Sequence, residues 1–281
     1  MDKGGVDRGT LYVVATPIGN LSDASPRSVE VLRSVDLVAC EDTRTSAQLL
    51  ARHGISTRTV ALHEHNERRA AAGLIDLLRA GKNVALVSDA GTPALSDPGA
   101  WLVQEAHRAG IRVSPLPGPS AAAAAISAAG FSAPRFLFAG FLPATRSARR
   151  KALQGLDVPW PVVLYEAPHR IAETLADLAE RFGAARELVI CRELTKKFEE
   201  VARLPLGEAT AWLEQRAERS QGEFVLVLEP GMETKASAID ADAVLEILLQ
   251  ALAPSEAAKL AARITGAPRN VLYRKALDRA K

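Results

Sequence analysis

Short apolar runs recur along the chain, each broken by turn-forming residues and followed by a stretch with helical spacing. Residues 11–15 form a β-branched run stopped by Thr16-Pro17-Ile18-Gly19-Asn20. Ser25-Pro26 then supplies an N-cap and an N1 proline for a helix reaching about Ser34. A strand over 36–40 runs through Glu41-Asp42-Thr43-Arg44 into a helix ending near His53-Gly54. A strand over 57–62 precedes a helix over 66–80 closed by Gly81. After the strand at Val84, Asp97-Pro98 starts a helix that stops at Gly110. Strands and helices alternating at these lengths predict right-handed βαβ units and a mostly parallel sheet over residues 9–130.

A second α/β unit is expected over 131–230. Its strands fall at 135–139, 161–165, 187–191, 199–204 and 222–228, and its helices around 147–156, 168–182 and 205–218. No helix separates the strands at Glu187 and Glu199, so some antiparallel pairing and a mixed sheet are predicted. Residues 231–239 have the small, polar composition of a linker. Beyond it, 240–253, 255–265 and 268–280 read as three short helices of a basic, helix-turn-helix-like appendage spanning 240–281.

Two strand ends carry the chemistry of the first unit. Val84-Ala85-Leu86-Val87 breaks into Ser88-Asp89-Ala90-Gly91-Thr92-Pro93, and Val113-Ser114 leads through Pro115-Leu116-Pro117-Gly118-Pro119 to an Ala-rich helix opening at Ser120. Small residues at the carboxyl ends of parallel strands let main chain approach a ligand, and such crevices are where open α/β sheets bind small molecules. If the two ends lie side by side, they form a pocket. No Gly-x-Gly-x-x-Gly follows the first strand, which excludes a nicotinamide dehydrogenase of the usual kind.

Composition narrows the classes. The 281 residues are 48% apolar, enough for two cores and too apolar for intrinsic disorder. Cys40 and Cys191 both sit inside apolar runs, as reduced buried thiols do in a reducing cytoplasm. The polar first nine residues do not read as a signal peptide, and the apolar stretch 121–131 is too short to span a bilayer, so a cytoplasmic protein is expected. Net charge is +2, but Lys259, Arg263, Arg269, Arg274, Lys275, Arg279 and Lys281 face only Glu256 and Asp278 in the last 28 residues. A positive tail on a slightly acidic body fits either a polyanionic partner or a solvated helical face.

The order of motifs completes a resemblance. Thr16-Pro17-Ile18-Gly19-Asn20-Leu21, Glu41-Asp42-Thr43-Arg44, His63-Glu64-His65-Asn66-Glu67, Ser88-Asp89-Ala90-Gly91-Thr92-Pro93, Pro115-Leu116-Pro117-Gly118-Pro119, Gly140-Phe141-Leu142-Pro143, Tyr165-Glu166 with His169-Arg170, and Arg192-Glu193-Leu194-Thr195-Lys196 follow one another as in a known family. The chain resembles the 16S rRNA cytidine 2′-O-methyltransferases of the tetrapyrrole methylase superfamily, from Gly9 to about Glu229. The basic tail is similar to that family's C-terminal extension. The resemblance implies two α/β domains, S-adenosyl-L-methionine (SAM) in the cleft between them, a homodimer, and 16S rRNA within the small ribosomal subunit as partner, with no membrane. It places cofactor contacts at Pro17, at Ser88, Asp89, Ala90, Gly91, Thr92 and Pro93, at Ser120 and Ala121, and at Tyr165, Glu166 and Ala167.

A ribose hydroxyl is a poor nucleophile until its proton is taken or strongly hydrogen-bonded. His65 or Glu67, at a strand end near the same sheet edge as Glu41 to Arg44, is the expected base or orienting group, with Arg44 on substrate phosphate. The same residues also suit a helix cap and a structural ion pair. No ligand cluster accompanies His-x-His, so no metal is expected. Arg146, Arg149, Arg150 and Lys151, then Lys196 and Lys197, then Arg269, Arg274 and Lys275, are candidate RNA contacts or solvated surface. Two other functions share these features in part. A small-molecule methylase of the same fold needs no basic tail, and a non-catalytic RNA-binding assembly protein leaves the two cleft loops unexplained.

Overall fold

The computed structural model describes residues 9–63, 65–231 and 240–279. The first half alternates as read: β1 (Thr10–Val14), α1 (Pro26–Ser34), β2 (Leu37–Cys40), α2 (Thr43–Arg52), β3 (Thr59–Ala61), α3 (Glu67–Arg79), β4 (Val84–Val87), α4 (Ala100–Arg108), β5 (Arg112–Leu116) and α5 (Ala121–Ala129). The five strands form one parallel sheet in the order β3-β2-β4-β1-β5. Residues of β4 alternate between two cores: Val84 and Leu86 pack with α3 and α4, whereas Ala85 and Val87 pack with α1 and α2. A strand buried on both faces reads as an uninterrupted apolar run because neither side meets water.

The order corrects one expectation. The loops after β4 and β5 do not leave adjacent strands, since β1 lies between them. They converge by hydrogen bonding instead, as described below.

The second half contains β6 (Leu137–Phe141), α6 (Arg146–Leu153), β7 (Val162–Glu166), α7 (Ile171–Phe182), β8 (Glu187–Arg192), β9 (Glu200–Pro205), α8 (Leu206–Glu214) and β10 (Phe224–Leu228). Its order is β6-β7-β10-β8-β9, with β6 and β7 parallel and the other pairs antiparallel, so the mixed sheet expected from the missing helix after Glu187 is present. One face carries α6, α7 and α8 on Leu164, Leu188, Ile190 and Leu226. The other face receives α5, whose Ala122, Ala125 and Ala129 pack on Val163, Val189, Val225 and Val227. Alanine lets helix and strands approach closely. The Ala-rich helix, read as the end of the first unit, thus joins both sheets in one compact body extending to Pro230.

The remaining described residues form a separate unit of α9 (Ala241–Leu249), α10 (Pro254–Thr265) and α11 (Arg269–Arg279). Leu245, Ala257, Ala258, Ala261, Leu272 and Ala276 close its small core. Gly266, at φ 73°, ends α10 in the left-handed conformation that glycine adopts without a Cβ penalty. Among the described residues no helix is long and apolar enough to cross a membrane.

Candidate active site between the two sheets

Three loops of the first sheet are knitted together at its carboxyl edge. Thr16 and Gly91 exchange main-chain hydrogen bonds of 2.8 and 3.0 Å, and the Thr16 hydroxyl donates to the Ser88 carbonyl at 3.1 Å. The Thr92 hydroxyl donates to the Pro119 carbonyl at 3.2 Å, which brings the loops after β4 and β5 together over the end of β1. Gly118 is required by this closure: a Cβ there would lie 2.9 Å from the Cβ of Ala15.

Beneath these loops lies a cavity of about 370 Å³. From the first sheet it is lined by Ile18, Ala90, Gly91, Thr92, Leu95, Ser96 and Asp97, and from the start of α5 by Ser120 and Ala121. The second sheet contributes Phe141, Tyr165 to Pro168, Leu194, and Glu223 to Val225. Its size and its mostly apolar wall with a few convergent polar groups are those of a small-molecule site. The rings of Phe138 and Phe141 meet Tyr165 edge-on at 5.1 and 5.5 Å and fix that wall. Burial raises the Tyr165 phenol above its ordinary value.

Of the expected cofactor contacts, Ala90, Gly91, Thr92, Ser120, Ala121, Tyr165, Glu166 and Ala167 line the cavity. Pro17, Ser88, Asp89 and Pro93 do not. The Ser88 hydroxyl is buried within reach of the carbonyls of Ala90 and Gly91. The Asp89 carboxylate accepts the Asp42 N–H at 2.9 Å, tying the loop after β4 to the start of α2. Leu95, Ser96, Asp97, Phe141 and Glu223 were not foreseen.

The expected base is placed elsewhere. Glu67 Oε1 accepts the N–H groups of Gly99, Trp101 and Leu102 at 3.0, 2.9 and 3.4 Å, so this carboxylate caps α4 and lies outside the cavity lining. Helix N-termini favour such a group because it satisfies orphan donors and sits at the positive end of the dipole. His65 is exposed in the turn before α3, its ring 6.1 Å from that of His63. Arg44 is 89% exposed and clasps Asp42 at 2.6 Å, a pairing that holds the Asp42 carboxyl down at about 2.

The basic groups divide. Arg149 is fully buried, donating to Asp177 at 2.8 Å and to Glu173 at 3.0 Å, which removes it from any RNA surface. Burial pushes the Asp177 carboxyl up, but Arg149, Arg150 and Arg146 together hold it below its usual value. Arg146 and Arg150 keep exposed flanks, while Lys151 and Lys197 are exposed. Lys196 bridges Glu193 and Glu223 at 2.8 Å each. Arg269 and Arg274 are exposed, whereas Lys275 is paired with Asp242 at 2.6 Å. Among the described residues no group of His, Cys, Asp and Glu is arranged to hold a metal.

A cleft of small residues between a parallel and a mixed sheet matches one class of protein: the family model described as tetrapyrrole (corrin/porphyrin) methylases matches residues 10–210. A second, described as the RsmI C-terminal HTH domain, matches 235–280. Among solved structures, the chain superposes on diphthine synthase with a TM-score of 0.60 at 18% identity, covering 79% of this chain and 90% of that one. It superposes on the uroporphyrin-III C-methyltransferase of Thermus thermophilus complexed with S-adenosylhomocysteine with a TM-score of 0.55 at 17% identity, covering 79% and 97%. These show the fold. Sequence relatives are far nearer: the ribosomal RNA small subunit methyltransferase I of Pseudomonas aeruginosa is 49% identical over 96% of this chain and 98% of its own length, and that of Escherichia coli O157:H7 is 47% identical over 96% of each. The chain belongs to the ribosomal RNA small subunit methyltransferase I family.

Proposed function

We propose that the protein transfers a methyl group from SAM to the 2′-hydroxyl of a cytidine ribose in the decoding region of 16S rRNA, acting as a cytoplasmic homodimer on the small ribosomal subunit. The observation that carries the reading is the cavity itself. Ala90, Gly91, Ala121 and Ala167 bring main chain to its wall, Tyr165 gives a flat aromatic surface, and the acids facing it favour a cationic ligand. The cations nearby are neutralised: Lys196 is bound between two glutamates, and Arg170 lies 3.3 Å from Glu166. Bound SAM supplies an electrophilic methyl on a sulfonium centre, as the S-adenosylhomocysteine complex of the Thermus relative supports.

The chain's own residues orient and desolvate. Loops 88–93 and 117–121 would present donors and acceptors from main chain, and Phe141, Tyr165 and Leu95 supply the apolar part of the wall around the ligand. In this reading the solvent-accessible Arg44, Arg146, Arg150, Lys151, Lys197, Arg269 and Arg274 contact phosphates, which position RNA without reading sequence. The names of the 42–50% identical relatives support ribosomal RNA over a tetrapyrrole as acceptor.

Mass-spectrometric mapping of ribose methylation in small-subunit rRNA, from cells with and without the protein, tests this reading. One cytidine 2′-O-methyl group should vanish with the protein and return when purified protein and SAM are added to unmodified subunits. An unchanged methylation map, or transfer to a tetrapyrrole instead, refutes it.

A further inference from the structure

Methyl transfer to a ribose hydroxyl needs a proton acceptor, and the side chains first expected to supply it are capping a helix or exposed outside the cavity. Three carboxylates line the cavity, Asp97, Glu166 and Glu223, and their surroundings differ. Glu166 is buried with both oxygens engaged: Oε1 accepts the Ala167 N–H at 2.8 Å and faces Arg170, and Oε2 accepts the Thr174 hydroxyl at 2.6 Å. Glu223 is 74% exposed and paired with Lys196 at 2.8 Å. Asp97 is half-buried, forms no ion pair among the described residues, and has the neutral Ser88 hydroxyl as the group that favours its charged form.

The backbone holding Asp97 is constrained. Ala94 and Ser96 both adopt left-handed conformations, φ 67° and 63°, which cost residues with a Cβ energy that the surroundings must offset. The Ala94 N–H donates to the Pro98 carbonyl at 3.3 Å, and Leu95 N–H to the Thr92 carbonyl at 3.4 Å. Ser96 Oγ sits where Gly140 of β6 has no side chain, 2.7 Å from the position of an ideal Cβ. This tight turn directs Asp97 into the cavity, although Pro98 and Gly99 immediately precede α4.

We propose that Asp97 is the general base of the methyl transfer. The inference rests on the reaction proposed above. In the step, the carboxylate of Asp97 takes the proton of the ribose 2′-hydroxyl as that oxygen bonds to the methyl carbon. The carbon–sulfur bond of the donor breaks, its electron pair returns to sulfur, and the sulfonium becomes a neutral thioether. The proton on Asp97 then passes to solvent.

The electrostatics agree. Burial raises the Asp97 carboxyl to about 6, the negative charges of Glu41 after β2 and Asp89 after β4 add to the rise, and the Ser88 hydrogen bond opposes it. Burial also raises Glu41, which His63 partly offsets. Across the cavity stands Tyr165, whose phenol feels the Asp97 charge, and the cations Arg170 and Lys196 are already committed to other acids. A carboxylate that titrates near 6 remains ionised at cellular pH while being a better proton acceptor than an ordinary aspartate.

The experiment uses the full-length protein on small subunits lacking the methyl group. Asp97→Asn should lower kcat by about 100-fold or more, the usual share of general-base catalysis, while S-adenosylhomocysteine affinity by calorimetry stays within about threefold of wild type. Asp97→Glu should recover part of the rate. The wild-type kcat should rise with slope one up to about pH 6 and level off, and the Asn variant should lack that limb. A carboxyl carbon resonance of Asp97 in the ligand-free protein should titrate near 6. A rate for Asp97→Asn within about fivefold of wild type, a pH limb that survives the substitution, or lost S-adenosylhomocysteine binding overturns the assignment. If wild type itself methylates no ribose, the functional reading falls instead, and the base assignment with it.

Discussion

Replacing Arg149 by Met distinguishes a nucleic-acid contact from a structural ion pair, because the two roles move different observables. Arg149 is fully buried and reaches Asp177, itself 1% exposed, at 2.8 Å, with Glu173 at 3.0 Å and the Ala144 carbonyl at 3.4 Å. Breaking one half of a buried pair costs on the order of 3–5 kcal/mol because the remaining charge is left in low dielectric. Here Arg146 and Arg150 stay within 3.2 and 3.0 Å of Asp177, so its charge is not orphaned and the lower end applies, about 3 kcal/mol. Asp177→Asn should cost more, since Arg149 would keep Glu173, 69% exposed, as its one acidic partner among the described residues. The Asp177 carboxyl is held below its unfolded value, so its stabilisation is present above pH 4 and lost as pH falls through the folded value. Urea unfolding at pH 7.5 and at pH 3 should therefore show a smaller gap between wild type and Arg149→Met in acid. Below its melting temperature the variant should keep the wild-type salt slope for RNA binding, since a buried guanidinium releases no counterions. Undiminished stability combined with a shallower salt slope would show that Arg149 meets phosphate and that the buried pairing is wrong.

Asp97→Asn should stabilise the fold while removing activity: the folded carboxyl titrates near 6 against about 3.8 unfolded, so its destabilising contribution is absent in acid and grows as pH rises from 4 through 6. The gain reaches at most about 3 kcal/mol at pH 8, and equal urea midpoints for the two proteins at pH 8 would contradict it. Glu67→Ala should cost about 1–2 kcal/mol through loss of the α4 cap and leave kcat unchanged, whereas a kcat loss rescued by added imidazole or formate would return it to the candidate bases. Gly140→Ala should lose about 1–2 kcal/mol from its φ of 64° and weaken S-adenosylhomocysteine binding by displacing Ser96, as calorimetry would show.

The elements were legible because their signals are local. Ser25-Pro26 forms the N-cap and first position of α1, and the Ser25 hydroxyl does accept the Ser28 N–H at 3.0 Å. Ser120 caps α5, and the run 84–87 is buried throughout because it is covered on both faces. Eight of the twelve expected cofactor contacts line the cavity for a related reason. A strand end followed by Gly and Ala can bring its backbone to a ligand regardless of what the rest of the chain does.

Two of the misplaced residues, Glu67 and Arg149, depend on partners far away in sequence. Asp97-Pro98 has the form of a helix start, yet α4 begins at Ala100 and is capped by Glu67 from 32 to 35 residues upstream. That remote cap is what releases Asp97 to face the cavity, and the exchange of roles between the two acids is invisible to any local pattern. Arg149 looked like surface charge because its counterion, Asp177, is 28 residues on. A trace of it was present: Asp177 lies on the stripe of α7 shared by Thr174 and Leu178, where an unpaired acid would not be tolerated. Acids at the cavity thus divide by what compensates them. Glu166 and Glu223 have cations and serve structure, while Asp97, among the described residues, is acted on by the Ser88 hydroxyl and by the like charges of Glu41 and Asp89. A fold selected only for stability would neutralise such a group, so the uncompensated acid marks where stability has been exchanged for chemistry.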